Sequence, residues 1–285
     1  MKKNTYSGIQ TIAIHAGEGP DPTTNASAPP IHMSSTFVSE EAAGFSAHDL
    51  TDDSPWLYAR WANPTVSMLE KKIAAIEGVE DALCTASGMA AATAIFLTFL
   101  QKGDHVIISD VSYAGVAELA RDTLPRFGIE TTFVDMADLE AVEAAMRKNT
   151  KLVHIETPVN PILRLTDVKA VKEITLKAGA LLSADCTFST PIGAKANALG
   201  IDLIMHSATK YLCGHGDAVG GVIAGSKSLI SKLRLEAGIH HGGVMSPFNA
   251  WLISRGVATL PLRMEAHQKN ATTLANWLEN HPSVT

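Results

Sequence analysis

The chain has 285 residues, of which 46% are hydrophobic, enough to bury the core of one large domain or two ordinary ones. Lys and Arg number 23 against 29 Asp and Glu, so the net charge is -6, and the absence of a basic run excludes nucleic acid as an expected partner. The longest near-apolar run, 89–100, is shorter than the roughly 18 residues that a membrane span needs and predicts a buried helix.

Cysteine usage and the N-terminus both predict a cytoplasmic protein. Cys84, Cys186 and Cys213 have no paired spacing, so we expect reduced thiols and neither a disulfide framework nor a zinc site. The first residues lack the apolar stretch and the small-residue cleavage site of a signal peptide, so export is not expected.

Residues 1–60 are rich in Pro, Thr, Ser and Asp and predict an irregular N-terminal arm that contacts a neighbouring subunit. Pro64 then fits the first turn of a helix that ends at Gly78. Beyond it, short β-rich runs alternate with helical segments, a pattern typical of parallel strands joined by crossover helices. The predicted strands are 82–86, 105–109, 130–135, 151–157, 181–186, 202–206 and 220–224.

The intervening segments predict helices at 89–101, 114–126, 137–148 and 167–178, with Gly103, Gly128 and Gly179 as C-cap residues. The fold class is therefore α/β: a three-layer domain with a mostly parallel sheet at 61–260. After Gly225 the chain is predicted to be mostly helical, and a long helix occupies most of the final segment, 261–285.

Polar or small residues follow four of the predicted strands, and ligands of open α/β sheets bind outside the carboxyl ends of strands. Each segment by itself is also explained by ordinary turn chemistry or by a solvated charge. Together they offer a helix N-terminus with hydroxyls for a phosphate ester, a carboxylate for a pyridine nitrogen and an amine for an aldehyde. The four segments are 86–89, 156–161, 183–187 and 206–211.

These segments carry a family resemblance that runs from about Thr11 to the end of the chain. The matching motifs are Tyr58-Ala59-Arg60-x-x-Asn63-Pro64-Thr65, Ser87-Gly88-Met89, Glu156-Thr157-Pro158-x-Asn160-Pro161, and Ser207-x-Thr209-Lys210 with Asp185 placed 25 residues before the lysine. In this order they resemble the Cys/Met-metabolism enzymes that depend on pyridoxal 5'-phosphate (PLP), which include cystathionine γ-synthase, cystathionine γ-lyase and methionine γ-lyase. The resemblance implies the large domain of the aspartate-aminotransferase-like (type I) PLP-dependent transferases.

The resemblance also implies a role for each site residue. Lys210 would hold the cofactor and move protons, and Asp185 would pair with the pyridine nitrogen. Tyr113 would stack on the ring and help protonate the leaving group, and Asn160 would hydrogen-bond the ring hydroxyl. The phosphate would be bound by Ser87, Gly88, Met89, Ser207 and Thr209.

Tyr58 and Arg60 precede the domain, and the resemblance implies that they reach the phosphate of a neighbouring subunit. The active site would then be shared within a homo-oligomer, a dimer or a tetramer. Asx-turn chemistry for Asp185 and for Asn160, a core position for Tyr113 and a solvated side chain for Arg60 remain open as alternatives.

The implied function is γ-elimination or γ-replacement on a sulfur amino acid or O-acylhomoserine, as in cystathionine γ-lyase and cystathionine γ-synthase. Gly115 stands two positions after Tyr113, where methionine γ-lyases commonly carry cysteine, so a cystathionine enzyme is favoured and a methionine γ-lyase or β-lyase is the alternative. An aminotransferase with the same fold fits the motifs less well. His240 and His241 are adjacent rather than four apart, so no metal site is predicted.

The end of the chain suggests an alternative of another class. No residue matches the arginine that binds the substrate α-carboxylate in the family, which comes from a smaller C-terminal domain. That domain is expected to be missing, and the alternative is a truncated PLP-binding subunit with weak turnover.

Overall fold

A computed structural model describes residues 6–39, 46 and 54–284. Parts of the predicted N-terminal arm, namely 1–5, 40–45 and 47–53, lie outside the described residues, as does residue 285. The α-helices are α1 (Ile9–His15), α2 (Pro64–Glu77), α3 (Gly88–Phe99), α4 (Ala114–Glu118), α5 (Leu139–Ala145), α6 (Val168–Ala178), α7 (Thr190–Gly193), α8 (Lys227–Leu233), α9 (Pro247–Ala258) and α10 (Leu260–Glu279).

The centre of the fold is a sheet of seven strands in the order β1-β7-β6-β5-β4-β2-β3. Among the described residues, β7 alone runs antiparallel to its neighbours, and the predicted strands and mostly parallel sheet are confirmed. The strands are β1 (Asp81–Thr85), β2 (His105–Ser109), β3 (Glu130–Val134), β4 (Thr150–Glu156), β5 (Leu181–Asp185), β6 (Leu203–Ser207) and β7 (Gly221–Gly225).

Helices cover both faces of the sheet, which confirms the three layers. In β4, Val153 and Ile155 belong to a core that includes residues of α2, α6 and α9, whereas Leu152 belongs to a second core that includes residues of α3 and α8. Successive side chains of a strand point to opposite faces, so an apolar run supplies both cores at once.

The sequence signals for helix ends are partly confirmed. Asn63 caps α2 by accepting hydrogen bonds from the N–H groups of Thr65 and Val66, and Gly78 ends the helix in the left-handed conformation. Gly179 ends α6 in the same way, but the assignment of Gly103 is wrong, because α3 ends at Phe99 with an extended residue as its cap.

Two predicted helical features differ in the structure. The helix predicted at 114–126 is regular only through α4 and continues as a π-helical turn, Leu119–Thr123, and a 3-10 turn, Leu124–Phe127. Pro125 explains this change, because proline has no N–H for the α-helical ladder and its ring clashes with the preceding turn. The arm is not wholly irregular either, since it contains α1, whose Ala13 is buried against the core.

The apolar run 89–100 lies in α3 as a buried helix, with Ala91, Ile95 and Phe96 inaccessible to solvent. Among the described residues, no helix combines the length and the apolar composition needed to cross a bilayer.

His154 lies in the middle of β4, beneath the carboxyl edge of the sheet. It is buried, its Nδ1 is 2.8 Å from Ser183 Oγ, and its ring packs edge-on against Phe96 at 5.2 Å between centroids. Burial lowers the pKa of His154 from 6.5 to about 4, against a weaker opposing effect of Asp185. The folded protein therefore keeps this imidazole neutral under mildly acidic conditions.

This pKa predicts an acid-sensitive contribution to stability. Between pH 6.5 and 4 the unfolded chain binds a proton at His154 that the folded chain does not, so stability present above pH 6.5 is lost as the pH falls. We expect this group to lower the free energy of unfolding by on the order of 2 kcal/mol between pH 7 and 5. Urea unfolding at both pH values should show that difference in the wild type and not in His154→Gln. The exposed His32→Gln serves as the control, and a His154→Gln slope equal to that of the wild type would contradict the prediction.

Candidate active site

A cavity of about 710 Å³ opens at the carboxyl ends of β4, β5 and β6. It brings together nine of the eleven predicted site residues from five separate segments of the chain. These are Ser87, Gly88, Met89, Tyr113, Asn160, Asp185, Ser207, Thr209 and Lys210.

One end of the cavity is suited to an anion. Ser87 is the N-cap of α3 and accepts a hydrogen bond from Ala90 N at 3.1 Å, so the N–H groups of Gly88 and Met89 in the first turn are not used by the helical ladder. Ser207 lies against this turn, since a Cβ atom on Gly88 would be 2.9 Å from Ser207 Cβ. Backbone N–H groups, a hydroxyl and the positive end of a helix dipole therefore meet at one point.

Two further contacts fix this end of the cavity. Thr209 Oγ1 is 3.1 Å from both O and N of Gly220, so its hydroxyl ties the Lys210 turn to the residue before β7. Gly221, the first residue of β7, runs so close to the turn before α3 that a Cβ atom would be 2.2 Å from Ser87 O. The anion end is thus held by main-chain packing as well as by side chains.

Asp185 is the last residue of β5 and is 8% exposed. Its Oδ1 accepts a hydrogen bond from Thr187 N at 2.9 Å, which is the Asx-turn contact considered as an alternative. The same side chain lines the cavity, so the turn contact fixes the carboxylate there and does not exclude a role in binding.

Lys210 lies in the turn that follows β6. Its main chain is held at both ends, with Lys210 N donating to Ser207 O at 3.2 Å and Gly214 N donating to Lys210 O at 2.8 Å. The side chain is exposed to the cavity and forms no ion pair with the described part of the chain. A primary amine in this position is accessible for reaction with a bound aldehyde.

Glu156 is a cavity residue to which the sequence analysis gave no role. It is 7% exposed, its Oε2 accepts from Tyr113 N at 2.7 Å and its Oε1 accepts from Asn160 N at 3.0 Å. Burial raises the pKa of Glu156, an effect that these two hydrogen bonds partly offset. The sequence placed Glu156 in the motif 156–161 near the end of a predicted strand, but it did not show which groups the carboxylate contacts.

Two residues of α10 that no sequence motif indicated also line the cavity. Arg263 donates to Tyr211 O and to Gly256 O, each at 2.7 Å, and the ring of His267 packs against Tyr211. Burial lowers the pKa of Arg263. Because these residues lie more than 50 positions beyond Lys210, no local motif links them to it.

Tyr58 and Arg60 do not reach this cavity. Tyr58 is 39% exposed, and the Arg60 guanidinium lies over its ring at 5.2 Å and donates to Ile239 O. Their predicted contact with the phosphate of a neighbouring subunit stays a prediction.

The cavity fits PLP in the chemistry of its donors. A phosphate, a pyridine nitrogen and an aldehyde need an anion site, a carboxylate and an amine, and the α3 N-terminus, Asp185 and Lys210 supply these in one space. In the described residues, no group of three or more His, Cys, Asp or Glu side chains is arranged to hold a metal ion.

Comparison with known proteins agrees with this geometry. The chain is 44% identical to a canavanine γ-lyase from Rhizobium leguminosarum bv. trifolii over 98% of its length, and 43% identical to a cystathionine γ-lyase from Bacillus subtilis over 96%. The crystal structure of cystathionine γ-lyase from Lactobacillus plantarum, complexed with L-serine, superposes with a TM-score of 0.90 and 35% identity over 98% of this chain. The chain spans 70% of the length of the two lyases and 71% of the crystallised chain.

The superposition confirms the predicted aspartate-aminotransferase-like fold. The family described as Cys/Met metabolism PLP-dependent enzyme matches residues 10–285, which is nearly the whole chain. With the cavity, the relatives and this match in agreement, the chain belongs to the PLP-dependent enzymes of cysteine and methionine metabolism.

Proposed function

We propose that this chain catalyses γ-elimination from an amino acid whose γ-carbon carries a sulfur- or oxygen-linked substituent, with Lys210 as the reactive amine. The observation that carries the proposal is the convergence of Lys210, Asp185 and the α3 N-terminus on one cavity in a member of this family. The γ-lyases among its relatives support elimination over other reactions.

When bound, PLP supplies an electron sink that stabilises negative charge at the substrate α-carbon. Asp185 would hold the proton on the pyridine nitrogen that keeps the ring electron-poor. The N–H groups of Gly88 and Met89, with the hydroxyl of Ser207, would bind the phosphate, and the Thr209 hydroxyl would join them by turning its proton from Gly220 O to the phosphate. Asn160 would hydrogen-bond the ring hydroxyl.

Lys210 would hold the cofactor and, as a free amine, would take the substrate α-proton and then move a proton at the β-carbon. Loss of the β-proton lets the bond between the γ-carbon and its substituent break. Tyr113, which lines the cavity, would stack on the ring and give a proton to the leaving group. Addition of water then releases ammonia and a 2-oxo acid, whereas entry of a thiol at the γ-carbon gives replacement.

The substrate panel should include canavanine, whose γ-carbon carries an oxygen-linked guanidine, because the Rhizobium relative is a canavanine γ-lyase. Cystathionine, O-succinylhomoserine and methionine test the remaining alternatives. Release of a 2-oxo acid from one of the four supports elimination and identifies the substrate. A cofactor spectrum that none of them changes would instead favour a PLP-binding subunit without turnover.

Replacing Lys210 tests the assignment of the reactive amine. We expect Lys210→Ala to lose covalently held cofactor and to lower turnover by at least about 1000-fold, because both binding and proton transfer use the same amine. Lys210→Arg keeps the positive charge without a nucleophilic amine, so it should be equally inactive. Absorbance after PLP addition and 2-oxo acid release are the two measurements. The exposed Lys232→Ala is the matched control, and normal turnover in Lys210→Ala would refute the assignment.

We also propose that the active sites are shared within a homo-oligomer of cytoplasmic enzyme. The support is that Tyr58 and Arg60 lie outside the cavity of their own chain. In this proposal the arm 1–60 would contact a neighbouring subunit, 61–260 would bind the cofactor, and 261–285 would form a helix that follows this domain. The three cysteines are buried and free, as expected for reduced thiols.

Subunit mixing tests the shared site. We expect Arg60→Ala and Lys210→Ala each to be inactive, because one lacks the phosphate contact and the other lacks the amine. Refolded together in equal amounts, they should restore activity at about a quarter of the sites if one subunit supplies Arg60 and its neighbour supplies Lys210. Turnover of the mixture measures this, and a mixture as inactive as its parts would contradict a shared site.

A further inference from the structure

We propose that Glu156 is the positioning residue of this site: its carboxylate holds the loops that carry Tyr113 and Asn160 at the separation that the cofactor ring requires. The inference rests on the proposed PLP site and assigns a role to a residue outside the set of direct cofactor contacts.

Glu156 is the last residue of β4, which lies between β2 and β5. Tyr113 follows β2 by four residues and Asn160 follows β4 by four, so the two loops leave neighbouring strands at the same edge. Oε2 of Glu156 accepts from Tyr113 N and Oε1 accepts from Asn160 N. One side chain thus bridges the two loops at the cavity, whereas the ion pair that Arg164 forms with Asp110 joins the same loops through residues that do not line the cavity.

The bridge needs a carboxylate. Each oxygen accepts from a different backbone N–H group, and the isosteric glutamine has one acceptor oxygen and one NH₂ donor. In Glu156→Gln, one backbone N–H would face another donor in a buried place, which is unfavourable for both. The requirement is therefore for two acceptors and not for the size of the side chain.

The burial of Glu156 indicates that a carboxylate is kept at this position for its two hydrogen bonds. A buried carboxylate is costly unless it is well hydrogen-bonded, and Glu156 has no ion pair in the described part of the chain. Desolvation and the neighbouring Asp185 both raise its pKa. An apolar residue would fill the same space at lower cost, but it would leave the N–H groups of Tyr113 and Asn160 without an acceptor.

Glu156 is distinguished from a catalytic residue by its contacts, since each of its oxygens accepts a hydrogen bond from a loop N–H group. It lines the cavity, but its acceptors are directed to Tyr113 N and Asn160 N. Its effect on the cofactor is therefore exerted through these two residues, and a test must separate that effect from general loss of stability.

The test is a titration of apo-protein with PLP, followed by absorbance, for the wild type, Glu156→Gln and Glu156→Asp. We expect Glu156→Gln to weaken PLP binding about tenfold, the effect of losing one charged hydrogen bond in a buried site. Glu156→Asp keeps two acceptors on a shorter side chain and should recover part of this loss. It also provides the test if the glutamine variant does not fold. Equal affinity in the wild type and in the variants would overturn the proposal.

Glu70→Gln is a matched control, because Glu70 is also buried and accepts from a backbone N–H group, that of Cys84 at 2.9 Å, and neither residue lines the cavity. It should lower the unfolding temperature while leaving PLP affinity within about twofold, since its bond holds β1 to α2 and not the site. If Glu70→Gln weakened PLP binding as much as Glu156→Gln does, the effect would be general destabilisation and the proposal would fail.

Coupling to Asn160 distinguishes positioning from direct contact. In an Asn160→Ala background the ring contact of one loop is already lost, so Glu156→Gln should weaken PLP binding by only about threefold. The full tenfold loss in that background would mean that Glu156 acts independently of Asn160 and would overturn the proposal. Failure of the wild type itself to bind PLP would refute the cofactor site, a result separate from any difference among the variants.

Discussion

The structure depends on one constraint: parallel strands joined by crossover helices place all their carboxyl ends on one edge of the sheet. Residues far apart in the sequence, from Ser87 to Lys210, meet there because each follows a strand that ends at the same level. The single antiparallel strand of the described sheet, β7, does not supply a strand end to this edge. It begins there, and Gly221 lets it pass directly beneath the turn before α3.

Buried polar contacts hold α2 to its surroundings. Glu70 accepts from Cys84 N in β1 and pairs with Arg234, and Glu77 pairs with His206 in β6, next to Ser207. Lys72 is fully buried, pairs with Glu18 and donates to Ile14 O at 3.1 Å, although burial lowers its pKa. One helix thus connects the N-terminal segment to two strands of the sheet.

Much of this fold could be predicted because its signals are local. The strands are short apolar runs, and strand-end motifs identified Asp185 and Lys210 without any knowledge of packing. Glu156, Arg263 and His267 could not be assigned in this way, because their relation to the cavity exists only after β4 and α10 are packed. The helix α1 was missed for a related reason. A helix of seven residues is marginally stable alone, and the burial of Ala13 against the core contributes stability that local helix propensity does not provide.

The two carboxylates at this edge differ in their surroundings. Glu156 and Asp185 are partners in the register of β4 and β5, and the charge of Asp185 contributes to raising the pKa of Glu156. Two like charges side by side are unfavourable unless each is compensated. The negative charge of Glu156 is compensated within the chain by two backbone N–H groups. Asp185 accepts one such hydrogen bond, from Thr187 N to its Oδ1. The cationic nitrogen of a protonated pyridine ring would complete the compensation of Asp185, so the same pair of charges that disfavours an empty site favours a bound cofactor.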